Sequence, residues 1–305
     1  MGYLFLLIAL LVGATKGFCG KKVSGYAAEY ADATLSNFLR MLICVAVGAV
    51  IAVAQGGIQS LAVDGGFILV SLLSGVTTSL FVVSWMMAAR SGAYMMVDVF
   101  LLIGVILPLL ICRFIYGEEI LPIQWLGIAL LIVAGYVICT YNVSIKGKMS
   151  LGALCLLVLC AISSGTADLM QKMFTREIAE GSIAVFNFYT YIFAATTLAI
   201  CFFLFRHGEK KKHELSSPAK IIMPVIVYVC IMAVCLFMNS YFKTAAAAYL
   251  DAVQIYPLSQ GGAVILSMAM SAICFGEKIN LRCIVGVVLS FAALILINLL
   301  PAYMN

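Results

Sequence analysis

Lys16, Lys22, Arg40, Asp98, Asp168, Lys172 and Asp251 are charged residues set in or beside long apolar runs. A charge at the centre of such a run costs about 2.5–3.5 kcal/mol on membrane-insertion scales, so it must meet a counter-charge, water or a proton. Asp168 and Lys172 stand four residues apart, acid before base, on one helical face and in the favourable order for a local pair. Asp98 has no such neighbour: Met95 and Leu101 are three residues away, Tyr94 and Leu102 four. Its charge must be met from another segment, with Lys22 and Arg40 as candidates, or be neutralised by a proton, which burial favours. Two readings stay open. In one, these charges form interhelical pairs that fix packing and close one end of a bundle. In the other, Asp98, Lys22 and Arg40, with Asp168 and Lys172, line a path for a charged or zwitterionic solute, and Asp98 carries a coupling proton. Neutral groups extend the second reading: Trp85, Tyr94 and Tyr256 as walls, and Asn239 and Gln254 as hydrogen-bonding groups. Pro108 and Pro257 are sites where a helix bends and frees a backbone carbonyl. Ser71, Gly75 and Thr78 share one face, a stripe suited to helix packing or to lining a cavity.

The elements that must hold these residues are membrane helices. The 305 residues are 65% hydrophobic and 10% charged, whereas a soluble domain uses roughly 25% charged residues. With a mean hydropathy of +1.15, the chain lacks the polar side chains to cover a surface in water. Roughly 20 apolar residues cross a bilayer as a helix, and the short alternating segments of a β-barrel are missing. The apolar runs predict ten spans, near residues 3–19, 37–55, 66–87, 93–114, 123–141, 151–174, 183–205, 221–241, 249–275 and 282–300. The N-terminal run has neither a basic n-region nor a clear small-residue cleavage site, so it is kept as the first span. The eleven cysteines are scattered without a CxxC pair and read as small apolar fillers.

The same punctuation occurs twice. "GEEILPIQWLG" at residues 117–127 is matched by "GEKINLRCIVG" at 276–286, a shift of 159. "GYLFLL" at Gly2 matches "GALCLL" at Gly152, Lys22 falls opposite Lys172, and Asn37-Phe38 falls opposite Asn187-Phe188, all at a shift of 150. The chain thus reads as an all-α membrane protein of ten transmembrane helices in two five-helix repeats, residues 1–142 and 150–301. A basic hydrophilic loop, 206–220, separates spans 7 and 8. An odd number of spans per unit turns the second copy upside down, and inverted repeats are built to open a shared central cavity to each side in turn. Glu118 and Glu277, the repeated acids of the short links, are read as caps for the helix that follows.

Five spans twice, a Gly-Glu turn between the fourth and fifth span of each unit, and a glycine ten residues after the turn glycine resemble the drug/metabolite transporter superfamily. EamA-domain permeases are the most similar pattern. "AARSGAYMMVDVFLLIGVILPLLICRFIYGEEILPIQWLGIALLIVAGYVI" resembles the end of one unit, and "KTAAAAYLDAVQIYPLSQGGAVILSMAMSAICFGEKINLRCIVGVVLSFAALIL" the second. The likeness runs from Tyr3 to about Leu300. It departs in the first span, where the family often has Trp-Gly and this chain has Gly13-Ala14. The resemblance implies transport of a small metabolite, with the region of Asn239 and Gln254 beside the substrate pathway.

Lys and Arg are unevenly shared between the two sides. Fourteen fall on the side reached after odd-numbered spans (side A), and four, Arg113, Lys172, Arg176 and Lys243, on the other (side B). The positive-inside rule then makes side A cytoplasmic and puts both termini outside. The expectation is a multi-pass secondary transporter of the cell membrane, monomeric or oligomeric. It moves a small polar or amphipathic solute, amino-acid-like or cationic, by alternating access, in the export direction. The alternatives are an uptake or exchange carrier for anionic metabolites such as sugar phosphates or nucleotide sugars, with Lys16, Lys22, Arg40 and Lys172 as cationic contacts, and a non-transporting receptor or assembly protein. Enzyme chemistry is not expected: His207 and His213 both lie in the basic loop, and no HExxH or acidic metal cluster is present. No cofactor, metal or nucleic-acid partner is expected; the partners are the solute and the lipid.

Overall fold

In a bilayer the backbone must satisfy its own hydrogen bonds, and the computed structural model is helical with no strand among its described residues. These are 1–26, 30–88, 94–146, 151–178, 181–209, 225–275, 281–299 and 301. The helices are α1 (Gly2–Ser24), α2 (Tyr30–Gly56), α3 (Gly65–Ala88), α4 (Tyr94–Gly104), α5 (Ile106–Tyr116) and α6 (Pro122–Lys146). There follow α7 (Leu151–Glu177), α8 (Ile183–Glu209), α9 (Ile226–Ala247), α10 (Ala252–Phe275) and α11 (Leu281–Asn298). Six are long and apolar enough to cross a membrane: α1, α2, α3, α7, α8 and α9. Shorter apolar stretches occupy Phe100–Tyr116, Pro122–Val137 and Ile284–Asn298. Most of the predicted basic loop lies outside the described residues, as does the second Gly-Glu turn.

Two differences from the sequence expectation have physical causes. The second span begins at Tyr30, not near 37. Its first turns are polar in composition yet buried, because their polar atoms bond back into their own helix. Thr34 Oγ1 donates to the Tyr30 carbonyl at 2.7 Å and Asn37 Nδ2 to that of Ala33 at 2.8 Å. The fourth span is two helices, interrupted at Val105. Pro108 lacks an N–H and its ring crowds the carbonyl four residues back, that of Gly104. Gly104 and Gly165 let α4 and α7 touch there: a Cβ on Gly165 would run into the Gly104 carbonyl oxygen, and one on Gly104 into the Ala161 carbonyl. α10, by contrast, runs through Pro257 as one helix.

The largest helix contacts fall largely into matched pairs. α1 packs on α9 as α3 packs on α7; α4 meets α7 as α10 meets α1; α3 meets α8 as α9 meets α2. The two remaining large pairings are α2 with α8 and α6 with α11. Close approach in the middle comes from small residues: Gly75 of α3 lies against the backbone of Thr190 and Ala194 on α8. One apolar core, including Leu109, Leu169 and Tyr256, gathers α5, α7 and α10. A second, including Met41, Tyr191 and Phe237, gathers α2, α8 and α9.

Candidate functional site

Between α1, α2, α3, α7, α8, α9 and α10 lies a cavity of about 190 Å³. Its lining runs along α1 from Leu10 to Lys21 and along α3 from Ser74 to Trp85. It therefore extends from mid-bundle toward the ends where α1 and α3 finish, the end termed side A. Trp85, Phe81 and Tyr191 give it aromatic walls. Thr78 of the small-residue stripe faces the cavity, as does Ser74, which is not part of it, whereas Gly75 serves the α3–α8 contact and Ser71 is fully buried.

Its charges come from four helices. Lys243 sits one turn from the end of α9, and helical side chains lean toward their N-terminus, which carries its ammonium back to mid-bundle. There it bonds Asp168 Oδ1 of α7 at 2.6 Å and lies over the Tyr256 ring, 5.4 Å from its centroid. Tyr256 Oη donates to the Asp168 carbonyl at 2.6 Å. Lys16 of α1 reaches Asn239 Oδ1 at 3.5 Å, and Asn239 is oriented by its other amide atom, Nδ2, which donates to the Ala9 carbonyl at 2.7 Å. Arg40 of α2 is 4% exposed, and its Nε and Nη2 have no hydrogen-bond partner. Thr190 Oγ1 and Gln171 Oε1, also in the lining, are likewise buried and without one. Buried polar atoms in native proteins are nearly always bonded. Four of the nine unbonded ones among the described residues gather around this one cavity, as suits a wet or ligand-binding hollow.

The opposite end is closed by a different kind of charge cluster. Gly117 ends α5 in the left-handed region, φ 64°, and the chain turns so that Glu118 points into the second half. Glu118 Oε1 pairs with Lys172 Nζ at 3.2 Å and with Arg176 at 3.1 Å. Its Oε2 accepts the Ala252 N–H at the start of α10 at 2.7 Å. Lys172, 1% exposed, also donates to the Leu250 and Ala247 carbonyls at the end of α9, at 2.6 and 3.2 Å. An ammonium has three donors, and Lys172 has three acceptors. Arg176 extends the cluster to Asp251 at 3.3 Å, in a half-exposed pair.

The structure therefore gathers Arg40, Trp85, Asp168 and Asn239 around the cavity. Lys172 and Asp251 belong to the closed end, Lys22 is exposed on α1 beside Phe18, and Tyr256 buttresses Asp168 from behind. Gln254 caps its own helix, accepting the Asp251 N–H through Oε1 at 3.3 Å. Tyr94 and Asp98 stand on α4, with side chains outside the described residues. The expected local pair of Asp168 and Lys172 is corrected: each takes a partner from another element, because Lys243 and Glu118 offer contacts that leave neither of the two charges unmatched. Glu118 does not cap the helix after it; Gln124 does, through the Leu121 N–H at 2.9 Å, and Glu118 caps α10 instead. In the sequence Lys243 counted only as a side B cation just beyond the eighth span, a position that hid how far its side chain reaches inward.

Comparison with known proteins bears on this helical bundle and its charged cavity. Residues 151–299 match the family model described as the EamA-like transporter family. The second half of the chain is thus similar to EamA-like transporter domains, in keeping with its resemblance to drug/metabolite transporter permeases. One solved structure, described only as a crystal structure of a protein, is similar in fold with a TM-score of 0.73. It covers 100% of this chain and 98% of its own at 15% identity. No curated protein matches the chain.

Proposed function

We propose that the protein is a secondary transporter that moves a small polar or amphipathic solute by alternating access. Its ten spans then form two inverted repeats, 1–142 and 150–301. The observation that carries this reading is the pairing of a mid-bundle cavity, lined by unmatched polar atoms and reaching toward side A, with a charge cluster that seals side B. The reciprocal helix contacts support the repeat: exchanging the halves maps most of the largest contacts onto one another. Two such halves rock about a fixed site. Opening side B requires Glu118 to leave Lys172 and the start of α10. The Lys/Arg bias makes side A cytoplasmic, with both termini outside, in the cell membrane.

Among the described residues the cavity lining includes Lys16, Arg40 and Lys243 against the acid Asp168. That balance favours the alternative of an anion-bearing solute over a cationic one. Asp98 remains the proposed proton carrier. Asp98→Asn should abolish flux driven by a pH gradient with expression intact, and unchanged flux removes it from that role. The reading as a whole is tested by reconstitution into liposomes and counterflow of a metabolite panel; failure of every solute to exchange above protein-free vesicles would refute it. Thiol labelling at engineered positions within 206–220 fixes the orientation.

A further inference from the structure

Arg40 is charged at any physiological pH, since its guanidinium does not deprotonate in proteins. It is nine-tenths buried in the cavity wall, and Nε and Nη2 form one edge of the guanidinium with no acceptor. That edge is the planar fork that takes two oxygens of a carboxylate or phosphate side by side. No protein group fills this need among the described residues. Asp168 is the one acid in the described lining, and it is engaged by Lys243 at 2.6 Å. A second cation adds to the excess. Lys16 holds only a 3.5 Å contact to Asn239, while Arg40 and Lys243 both act on it electrostatically with Asp168 as the opposing charge. Like charges gathered in a low-dielectric space repel strongly, and an anion between them reverses the sign of the interaction. The surroundings are built to hold this arrangement: Asn239 is fixed by the Ala9 carbonyl, and a Cβ on Gly13 would meet the Asn239 amide nitrogen at 2.9 Å.

We propose that Arg40 and Lys16 form an oxyanion subsite that binds the carboxylate or phosphate of the transported solute, Arg40 through its Nε–Nη2 edge and Lys16 as a point charge. Binding itself does not depend on transport; that the ligand is the cargo rests on the transporter reading above. A cavity of about 190 Å³ suits a solute of small-acid or amino-acid size.

The test uses purified full-length protein with four probes at matched ionic strength: pyruvate, inorganic phosphate, L-leucine and choline. Counterflow is measured in liposomes and thermal shift in detergent. At least one anion-bearing probe should raise the melting temperature and exchange, pyruvate marking a carboxylate site, phosphate a phosphate site and leucine a zwitterion's carboxylate. Arg40→Gln and Lys16→Gln should each weaken its apparent affinity about tenfold or more, the scale of a lost charge-assisted hydrogen bond, while each variant alone melts as the parent does. Arg40→Lys, which keeps the charge but not the fork, should recover only part. Exchange of choline alone, unchanged in Arg40→Gln, overturns the subsite and leaves the transporter standing. A thermal shift that needs Arg40, without flux of any probe, supports the subsite and leaves the transporter reading to the wider metabolite panel. Absence of both shift and flux with every anion overturns the subsite.

Discussion

Lys172 and Arg40 are both basic, both almost fully buried and both placed along long apolar helices, yet their surroundings are opposites. Lys172 spends each of its three donors on a protein acceptor and pins the second half of the chain to Glu118 of the first. Arg40 leaves an edge unbonded in the wall of a cavity. Charge inside a bundle is thus no single signal. A saturated charge is a fastener, because any motion exposes an unmatched ion; an unsaturated one is a receptor, because a ligand completes it. Asp168 and Lys243 stand between the two: matched to each other, but in the cavity lining where a solute can compete for either.

Breaking the fastener should have the largest effect. Glu118→Ala leaves Lys172 buried without its carboxylate and should destabilise the protein by about 3–5 kcal/mol, read as a fall in melting temperature in detergent. Asp168→Asn should cost less, about 1.5–3 kcal/mol, since Lys243 keeps the cavity as an escape. It should also change solute affinity, which the Glu118 variant need not do when assayed from side A. Gly165→Ala should cost about 1–3 kcal/mol by overpacking where α7 meets the Gly104 carbonyl, without touching either charge cluster. Arg176→Ala should be smallest, within about 1 kcal/mol, because its half-exposed pairs are screened by solvent. If Arg176→Ala proved as damaging as Glu118→Ala, the distinction between the core of the seal and its rim would collapse.

The sequence carried the architecture further than it carried the partners. Apolar length and turn residues placed the helices to within about seven residues at their ends, because long apolar runs mark where a helix can cross a bilayer. The interruption at Val105 was foreshadowed by Pro108, whose effect falls one turn upstream. Pairing was less legible. The spacing of Asp168 and Lys172 satisfied the rule for a local pair, but the choice between local and distant partners depends on which side chains converge from other helices. Lys243 is 75 residues from Asp168, and Glu118 meets Lys172 only because the turn at Gly117 aims it across the bundle. Arg40 stood out as a charge in a span; that its fork is unbonded belongs to three dimensions alone.

Glu118 touches two helix ends with one carboxylate: through Lys172 it closes the carbonyl end of α9, and directly it closes the amide end of α10. The α9–α10 hairpin cannot loosen at one end and stay clasped at the other. Withdrawal of Glu118 uncaps α10 and at once leaves Lys172, which caps α9, without its counter-charge, so this end should behave as a toggle with little population of half-open forms. Thiol labelling from side B of cysteines introduced along α9 should then rise in unison when Glu118 is replaced.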